Sequence, residues 1–249
     1  MYISPVKSLA LQRIDGARLE KPGIAGDRAF YMIDAQGKLF TQREHFPLVQ
    51  VRAQYDVAKD WLRLSFPDGT VVESSPEPGD LVETGFFAGR PVAGRVVRGP
   101  FAEALSDCAG QPLRLVCPDT RGSTFDGYPI SMCSMESLQA LALAANQDAI
   151  DGRRFRQNIY ITGTTAHGED EWIGGTVRVG AAVLRVKMRD ERCVVTTRNP
   201  DTGDHDLNTL KIIASYRTDL PKEVCFGVYC TVVEPGEARV GDEVVPLIA

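Results

Sequence analysis

A single cysteine in the second half of the chain has neighbours that could activate its thiol. Cys193 follows Arg189 and Arg192, and it leads towards a turn-forming stretch that ends at Gly203. A thiol acts as a nucleophile or a metal ligand only as the thiolate, and nearby guanidinium groups favour that form. The acidic pair Asp190-Glu191 opposes this effect, and free cysteine is among the residue types most often buried. The local sequence leaves two interpretations open, a reactive thiolate and a small core residue.

Basic and polar residues recur in short motifs that could surround this thiol. Arg156 and Asn158 are two residues apart at the start of a predicted strand, so their side chains should face one way. Arginine offers a planar fork to phosphate, and asparagine offers a donor and an acceptor to a polar heterocycle. Three other segments have the same character: Lys7-Ser8, Gly26-Asp27-Arg28 and Thr41-Gln42-Arg43. Each alone is typical of a solvated face, but together with Arg192 they would form a cationic pocket around Cys193.

The composition argues against several classes of function. The 249-residue chain has a formal net charge of -5, whereas a nucleic-acid binder needs a basic face, so any anion site must be local. No run approaches the roughly 18 consecutive apolar residues of a membrane helix, and the N-terminus lacks the order of a signal peptide. We therefore expect a cytoplasmic protein that binds neither nucleic acid nor membrane. Six cysteines without a C-x-x-C pair fit reduced thiols, and neither a zinc motif nor a nucleotide-binding glycine motif occurs.

The elements in the first part of the chain are predicted to be short strands joined by turns. Hairpins are indicated at Pro67-Asp68-Gly69 and at Asp34-Ala35-Gln36-Gly37. Strands are predicted at residues 54–57, 61–66 and 70–73. This pattern is typical of a small barrel or sandwich. The polar, proline-rich stretch 74–80 predicts a loop or linker, so we expect a domain boundary between residues 74 and 100.

The second part mixes helices and strands. Helices are predicted at 101–109, closed by Gly110, at 134–145, begun by the N-cap Ser134, and at 206–216. Strands are predicted at 158–162, 176–179, 182–188, 224–233 and 238–247. The order does not alternate regularly, which excludes a doubly wound parallel sheet. The sequence predicts a mainly β protein with about three helices.

Taken in order, the motifs resemble those of the MOSC-domain family together with its N-terminal β-barrel region. They are S-P-V-K-S (4–8), G-D-R (26–28), T-Q-R (41–43), S-M-E-S-L (134–138), R-F-R-Q-N (154–158), E-D-E-W-I-G (169–174), R-C-V-V-T-T (192–197) and F-G-V-Y (226–229). Each motif is weak alone, but the ordered set is specific and covers essentially the whole chain. The resemblance implies a β-barrel MOSC fold with a few helices over residues 96–249. It also implies a smaller N-terminal β-rich, barrel-like domain over residues 1–95.

Within that family the chain looks most like the mitochondrial amidoxime-reducing components and their bacterial relatives. This resemblance implies a molybdenum cofactor, molybdopterin, whose metal is bound by the pterin dithiolene and by Cys193, the catalytic cysteine. A soft thiolate suits such a metal. The same mapping gives the residues that would contact the pterin and its phosphate: Lys7, Ser8, Arg28, Ser134, Arg156, Asn158, Arg192 and Tyr229. Charge-assisted donors suit an anionic cofactor of this kind.

The resemblance also implies an activity, the reduction of N-hydroxylated or other N-oxygenated small molecules. Four cysteines with plant-type ferredoxin spacing are absent, so we expect no iron-sulfur cluster site in the chain, and no pyridoxal phosphate machinery either. Electrons would come from a separate donor protein of the ferredoxin, flavodoxin or cytochrome b5 type with its reductase.

Two alternatives stay open. The first is a sulfur-carrier or cofactor-handling module that uses a persulfide on Cys193, and the second is a module that holds the pterin without turnover. The chain also departs from the family at Asn199, where the T-T-x-D-P pattern has aspartate, so a contact in that turn should differ.

Overall fold

Strands dominate the fold, as the sequence predicts. The computed structural model describes residues 1–220 and 223–247, and the mainly β fold class with three α-helices is confirmed. The strands are β1 (Tyr2–Ile3), β2 (Gln12–Arg13), β3 (Gly16–Glu20), β4 (Gly23–Ile24), β5 (Tyr31–Asp34), β6 (Leu39–Phe40), β7 (Arg52–Asp56), β8 (Trp61–Ser65), β9 (Val71–Ser74), β10 (Glu77–Gly85), β11 (Pro91–Arg98), β12 (Leu113–Pro118), β13 (Ile130–Ser134), β14 (Ile159–Ile161), β15 (Thr176–Val179), β16 (Ala182–Glu191), β17 (Cys225–Glu234), β18 (Gly236–Arg239) and β19 (Val244–Leu247).

Three α-helices and several short 3-10 helices connect these strands. The α-helices are α1 (Phe101–Ala109), α2 (Met135–Ala144) and α3 (Thr209–Tyr216). The 3-10 helices are Phe46–Gln50, Phe87–Gly89, Gly152–Phe155, Gly168–Trp172 and Val194–Thr197. Within the described ranges, none of the helices combines the length and the apolar character that a bilayer crossing requires.

Two sheets enclose the core of the first part of the chain. One has the strand order β10-β11-β12-β5-β6, and the other has the order β7-β8-β9. Their apolar faces meet around the fully buried side chains of Phe30, Leu62, Phe101 and Leu115. The last two come from α1 and β12, so this core extends past residue 95 into the segment that follows.

The second part is built on a six-stranded sheet with the order β14-β13-β17-β16-β15-β19. Only β13 and β14 run parallel in it. One face packs on a three-stranded sheet, β18-β3-β4, and α2 and α3 pack on a separate apolar cluster around Phe155 and Phe226. Because β3 and β4 come from the first 24 residues, the N-terminal segment contributes to the core of the second part. The division of the chain at residue 95 stays a prediction.

Several local predictions are confirmed. The Pro67-Asp68-Gly69 turn joins β8 to β9, with Gly69 at φ 91°. Helix α1 ends at Gly110, which has the left-handed backbone (φ 67°) that glycine adopts without a Cβ clash. Helix α2 begins as predicted, because the Ser134 hydroxyl accepts the Ser137 N–H at 3.1 Å.

Other local predictions are wrong for identifiable reasons. Residues 74–80 are not a linker, because β9 ends at Ser74 and β10 already begins at Glu77. Pro78 is tolerated there since β10 is an edge strand with a shifted register between Pro78 and Leu81. Helix α3 starts three residues later than predicted because Asn208 caps it, accepting the Lys211 N–H at 3.1 Å.

The end of the chain shows that neighbours in sequence need not pair. Strands β18 and β19 are separated only by a turn, yet β18 pairs with β3 and β19 pairs with β15. Strand β16 also continues to Glu191, three residues beyond its predicted end, so Cys193 follows directly after it. This long strand brings the R-C-V-V-T-T motif (192–197) to the place where the two parts of the chain meet.

Candidate functional site

The motif residues converge on one cavity of about 400 Å³, which we call the Cys193 cavity. Seven of the nine residues singled out from the sequence line it: Lys7, Ser8, Arg28, Arg156, Arg192, Cys193 and Tyr229. The remaining lining residues are Thr41, Gln42, Arg43, Phe87, Asp126, Gly127, Ser131, Phe155, Met188, Asp190, Glu191 and Val195. They come from both parts of the chain, which explains why widely separated motifs are needed to build one site.

A larger groove of about 940 Å³ lies nearby and shares only Arg156 with the Cys193 cavity. Its walls are the polar outer surface of β7 and β8 and the loop at Asp201. We assign the candidate site to the smaller cavity because the cysteine and the motif residues surround it.

Three of the lining residues have a strained backbone. Ser8 (φ 77°), Arg28 (φ 49°) and Arg156 (φ 52°) adopt the left-handed conformation, which costs a residue with a Cβ about 1–2 kcal/mol. Such strain persists where the surrounding structure fixes it, and it concentrates at functional sites.

A network centred on Asp27 fixes the two strained arginines, Arg28 and Arg156. Asp27 forms an ion pair with Arg28, and its other oxygen accepts the Ser4 N–H at 2.7 Å. The Ser4 hydroxyl in turn accepts from Arg156 at 3.0 Å, and Arg156 also donates to the Leu9 carbonyl at 2.8 Å. The S-P-V-K-S and G-D-R motifs therefore hold Arg28 and Arg156 against each other.

The cavity concentrates positive charge in an acidic protein. Five cations line it, against three carboxylates. Burial, together with the neighbouring charge of Arg28, lowers the pKa of Arg156. Burial also lowers the pKa of Lys7, although Asp126, 3.0 Å from Nζ, opposes this. An anion bound here would relieve the repulsion among these cations.

A carboxylate on β16 anchors the opposite wall. Asp190 pairs with Arg192 and accepts a hydrogen bond from Gln157 Nε2 at 3.0 Å. Burial raises the pKa of Asp190, and burial and Asp190 together raise the pKa of the Tyr229 phenol. Arg192 also donates to the Phe155 carbonyl at 2.6 Å. Two buried atoms of this pair, Asp190 Oδ1 and Arg192 Nε, have no protein partner among the described residues.

The structure excludes one of the two interpretations of Cys193, that of a small core residue. Its side chain is half-buried at the cavity wall and lies outside the hydrophobic clusters, so it is not a core residue. The Arg43 guanidinium lies 3.8 Å from Sγ. Arg189, the other basic neighbour in sequence, points elsewhere and pairs with Asp170 at 2.9 Å. Arg192 flanks Cys193 in the chain, whereas Arg43 reaches it from the T-Q-R motif, which the sequence also assigns to the cationic pocket around this thiol.

Two of the predicted contact residues do not line the cavity. Ser134 is fully buried, where it caps α2 and donates its N–H to Glu169 at 3.2 Å. Asn158 accepts from Ser131 N–H at 3.1 Å and donates to Asp27 Oδ2 at 3.0 Å. It thus connects a cavity residue to the carboxylate that holds Arg28. Their role as cofactor contacts stays a prediction.

Several lining residues were not singled out from the sequence as site residues. Gly127 is one, and a Cβ there would lie 2.7 Å from the Tyr229 ring, so glycine allows the loop before β13 to pack against that ring. Asp126, Asp190 and Met188 carry no motif of their own: the register of β16 brings Met188 and Asp190 to the cavity, and the loop before β13 brings Asp126 to it. Asn199 lies outside the cavity, where it donates to Asp206 at 2.9 Å and stabilises the loop after Cys193.

Two family models match the chain, and curated relatives and solved structures are similar to it. Residues 119–245 match the MOSC domain, and residues 1–85 match the MOSC N-terminal beta barrel domain. The chain is 38% identical over 281 residues to mitochondrial amidoxime reducing component 2 of Macaca fascicularis, covering 100% of the chain and 82% of the relative. It is 26% identical over 278 residues to mitochondrial amidoxime-reducing component 1 of Homo sapiens, covering 98% and 81%. Among solved structures, the YUAD protein from Bacillus subtilis is similar at a TM-score of 0.47 and 16% identity, covering 100% and 94%.

Proposed function

The chain belongs to the MOSC family, and from that premise we propose that it is a molybdenum-cofactor oxidoreductase which reduces N-hydroxylated or related N-oxygenated small molecules. The observation that supports this most is the convergence of seven motif residues, distributed from Lys7 to Tyr229, around one cavity that includes Cys193. The relatives named as amidoxime-reducing components support the reductase class. In this proposal Cys193 is the metal ligand and the catalytic cysteine.

The residues of the cavity fit an anionic pterin with a phosphate. Lys7, Arg28 and Arg156 are buried or partly buried cations whose mutual repulsion an anion would reduce. Arg192 Nε and Asp190 Oδ1 are buried without a protein partner among the described residues, so they have capacity for a polar heterocycle. The half-buried Cys193 offers a soft sulfur ligand at the wall.

In this proposal each wall of the cavity has a separate task. When bound, the cofactor supplies a metal centre that accepts and delivers two electrons. Lys7, Ser8, Arg28 and Arg156 bind its charged groups, and Asn158 positions Arg28 through Asp27. Burial and Asp190 raise the pKa of Tyr229, so its phenol stays protonated. The phenolic O–H can then donate a hydrogen bond to the cofactor. Ser134 acts from a distance by capping α2.

The reaction would consume two electrons and two protons, converting N–OH to N–H and releasing water. We propose that the electrons come from a separate protein of the ferredoxin, flavodoxin or cytochrome b5 type, and that the protein works in the cytoplasm. The support for a separate electron donor is the absence of cluster-binding cysteine spacing in the sequence. The cytoplasmic location stays a prediction from the sequence.

Metal analysis of the purified chain tests this proposal directly. Expressed in molybdate-fed cells, the protein should contain about one molybdenum and one pterin per chain, a stoichiometry expected for one ligand cysteine. Cys193→Ala should lose the metal. Cys108→Ser, which changes a half-buried cysteine outside the cavity, is the matched control and should retain it. Absence of molybdenum from the wild type, or full retention in Cys193→Ala, would overturn the proposal.

Two further measurements separate the alternatives. A sulfur carrier would gain one sulfur atom on Cys193 after incubation with a cysteine desulfurase, without bound metal, and intact-protein mass spectrometry detects that change. The partial exposure of Cys193 is compatible with this chemistry too. A module that only holds the pterin would not turn over hydroxylamine with an artificial reductant, so steady-state reduction of hydroxylamine excludes it.

A further inference from the structure

The Cys193 cavity has an unusual distribution of polarity. Its deep lining includes the buried polar residues Lys7, Ser8, Ser131 and Asp190. Two large apolar side chains, in contrast, lie at its exposed opening: Phe87 is 65% exposed and Met188 is 48% exposed. We call Phe87 and Met188 the apolar mouth. Folding does not explain this arrangement, since both side chains leave apolar area in water.

Phe87 is held on a strained but well-anchored turn. It lies in the connection between β10 and β11, where the next residue, Ala88, has the left-handed backbone (φ 56°) that a residue with a Cβ rarely adopts. Arg90 fixes the turn to the cavity wall by donating to the Ser123 and Phe125 carbonyls, both at 2.5 Å. Phe86, on the other side, is buried against the Tyr31 ring at 5.0 Å. The turn therefore holds Phe87 in place without burying it.

Met188 reaches the opening because β16 contains a bulge. The register shifts between Val186, opposite Cys230, and Met188, opposite Tyr229, so Lys187 is the extra residue. In a regular ladder Lys187 would stand opposite Tyr229, and the side chain of Met188 would then point to the other face of the sheet. The bulge thus brings Met188 beside Tyr229, and both residues line the cavity.

We propose that Phe87 and Met188 form a subsite for the apolar, preferably aromatic, body of the substrate, and that this subsite determines which N-oxygenated compounds the protein reduces. The proposal rests on the function proposed above and adds residues that select the substrate. An aromatic ring and a thioether are suited to this task, because a thioether packs adaptably against ring edges and faces. The polar floor would hold the cofactor and the N-oxygenated group, and the mouth would hold the remainder of the molecule.

A matched pair of substrates tests the subsite. Acetamidoxime and benzamidoxime share the amidoxime group and differ only in a methyl or a phenyl body. With cofactor-loaded protein and reduced methyl viologen as electron source, Phe87→Ser and Met188→Ser should each lower the ratio of kcat/KM for benzamidoxime over acetamidoxime about tenfold, mainly through KM. Leu81→Ser is the control and should leave the ratio unchanged, because Leu81 is 67% exposed on β10 and does not line the cavity.

The outcomes separate this proposal from the function on which it rests. If the wild type reduces both compounds and neither mouth variant changes the ratio, the subsite is wrong and the function stands. If the variants slow the reaction only with a protein electron donor, Phe87 and Met188 contact that donor instead, which also overturns the subsite. If no amidoxime is reduced, the function fails, and the subsite is judged by saturation-transfer NMR. Benzamidoxime should then give a signal with the wild type and Leu81→Ser, and a weaker one with Phe87→Ser; equal signals would overturn the proposal.

Discussion

Two cysteines near the ends of β13 and β16, two strands of the six-stranded sheet, have opposite surroundings. Cys193, just after β16, is half-buried beside Arg43 in a cavity with an excess of cations. Cys133, in β13, is fully buried beside Glu169, and burial with that carboxylate raises the pKa of its thiol well above the ordinary value. We call Cys133, Ser134, Ser137, His167 and Glu169 the Cys133 cluster. Similar residue types thus form one open cationic site and one closed region that stabilises α2.

The two thiols differ in access and in the sign of the nearby charge, which are the properties that control thiol reactivity. The members of the Cys133 cluster bond to one another: the Ser137 hydroxyl donates to Glu169 at 3.0 Å and accepts the His167 N–H at 2.8 Å. Two buried atoms of this cluster, His167 Nδ1 and Glu169 Oε2, have no protein partner among the described residues. The Cys193 cavity leaves Asp190 Oδ1 and Arg192 Nε without protein partners among the residues described. Unpartnered buried atoms therefore do not distinguish the two regions, which differ in access and in the sign of the charge near the thiol.

The largest expected difference between the two regions is in thiol reactivity. Iodoacetamide at neutral pH should modify Cys193 on the order of a thousandfold faster than Cys133, since Cys133 reacts only after a local opening that costs several kcal/mol. Timed labelling followed by peptide mass spectrometry gives both rates in one sample. Labelling in concentrated urea is the control, where the two rates should become similar. Comparable rates in the folded protein would contradict the comparison.

A substitution at Gly227 should disturb both regions at once. Gly227 has φ 79°, and a Cβ there would lie 2.6 Å from the Met132 carbonyl and 2.7 Å from Gln157 Nε2, the amide that holds Asp190. We expect Gly227→Val to lower the free energy of unfolding by about 3 kcal/mol or more. Gly241→Ala is the control, because Gly241 also has positive φ but no atoms within 4 Å, and it should cost about 1 kcal/mol. Urea unfolding measures both, and equal losses would show that the space between the regions is not tight.

Lowering the pH should destabilise the folded protein through His167, a member of the Cys133 cluster. Burial and the charge of Arg217 lower the pKa of His167 from 6.5 to about 4. The folded protein therefore binds fewer protons than the unfolded chain in this range, so this contribution to stability is present above pH 6.5 and is lost as the pH falls towards 4. Between those values the wild type should lose about 1–2 kcal/mol more than His167→Gln, a figure reduced for partial solvent screening.

The matched control for this titration is His205→Gln, which changes an exposed histidine outside the cluster and should follow the wild type. Unfolding free energies from urea melts at several pH values supply the comparison. If His167→Gln shows the same pH dependence as the wild type, His167 does not contribute to acid sensitivity.

The smallest expected effect concerns the turn that follows Cys193. Asn199→Asp restores the residue that the family pattern has at this position, but it would face Asp206, which Asn199 contacts at 2.9 Å. The new carboxylate should lower the stability by about 0.5 kcal/mol at low salt and by less at high salt. It should leave the alkylation rate of Cys193 within about twofold, because Asn199 does not line the cavity. A larger change in that rate would show that the turn controls access to the thiol.

Much of the fold could be predicted from local patterns. The Pro67-Asp68-Gly69 hairpin, the Ser134 cap and the Gly110 stop each depend on a few adjacent residues, and the structure confirms them. Predictions that depended on distant partners were less accurate. The linker at 74–80 proved to be an edge strand, and β18 and β19 pair with strands far away in sequence. Pairing of this kind is decided by register between remote segments, which a local pattern does not contain.

The sequence by itself determined the family and the chemical groups that are available: an ordered set of motifs, one cysteine among basic residues, and arginine, lysine and hydroxyl groups. Only the tertiary structure decided which of those groups meet. Arg43 and Arg189 are equally basic, yet Arg43 lies beside Cys193 and Arg189 pairs with Asp170. A bulge in β16 brings Met188 to the cavity opening, and the β10–β11 turn brings Phe87 to it. The physical reason is that side-chain type is fixed residue by residue, whereas strand register and backbone strain set the direction of each side chain collectively.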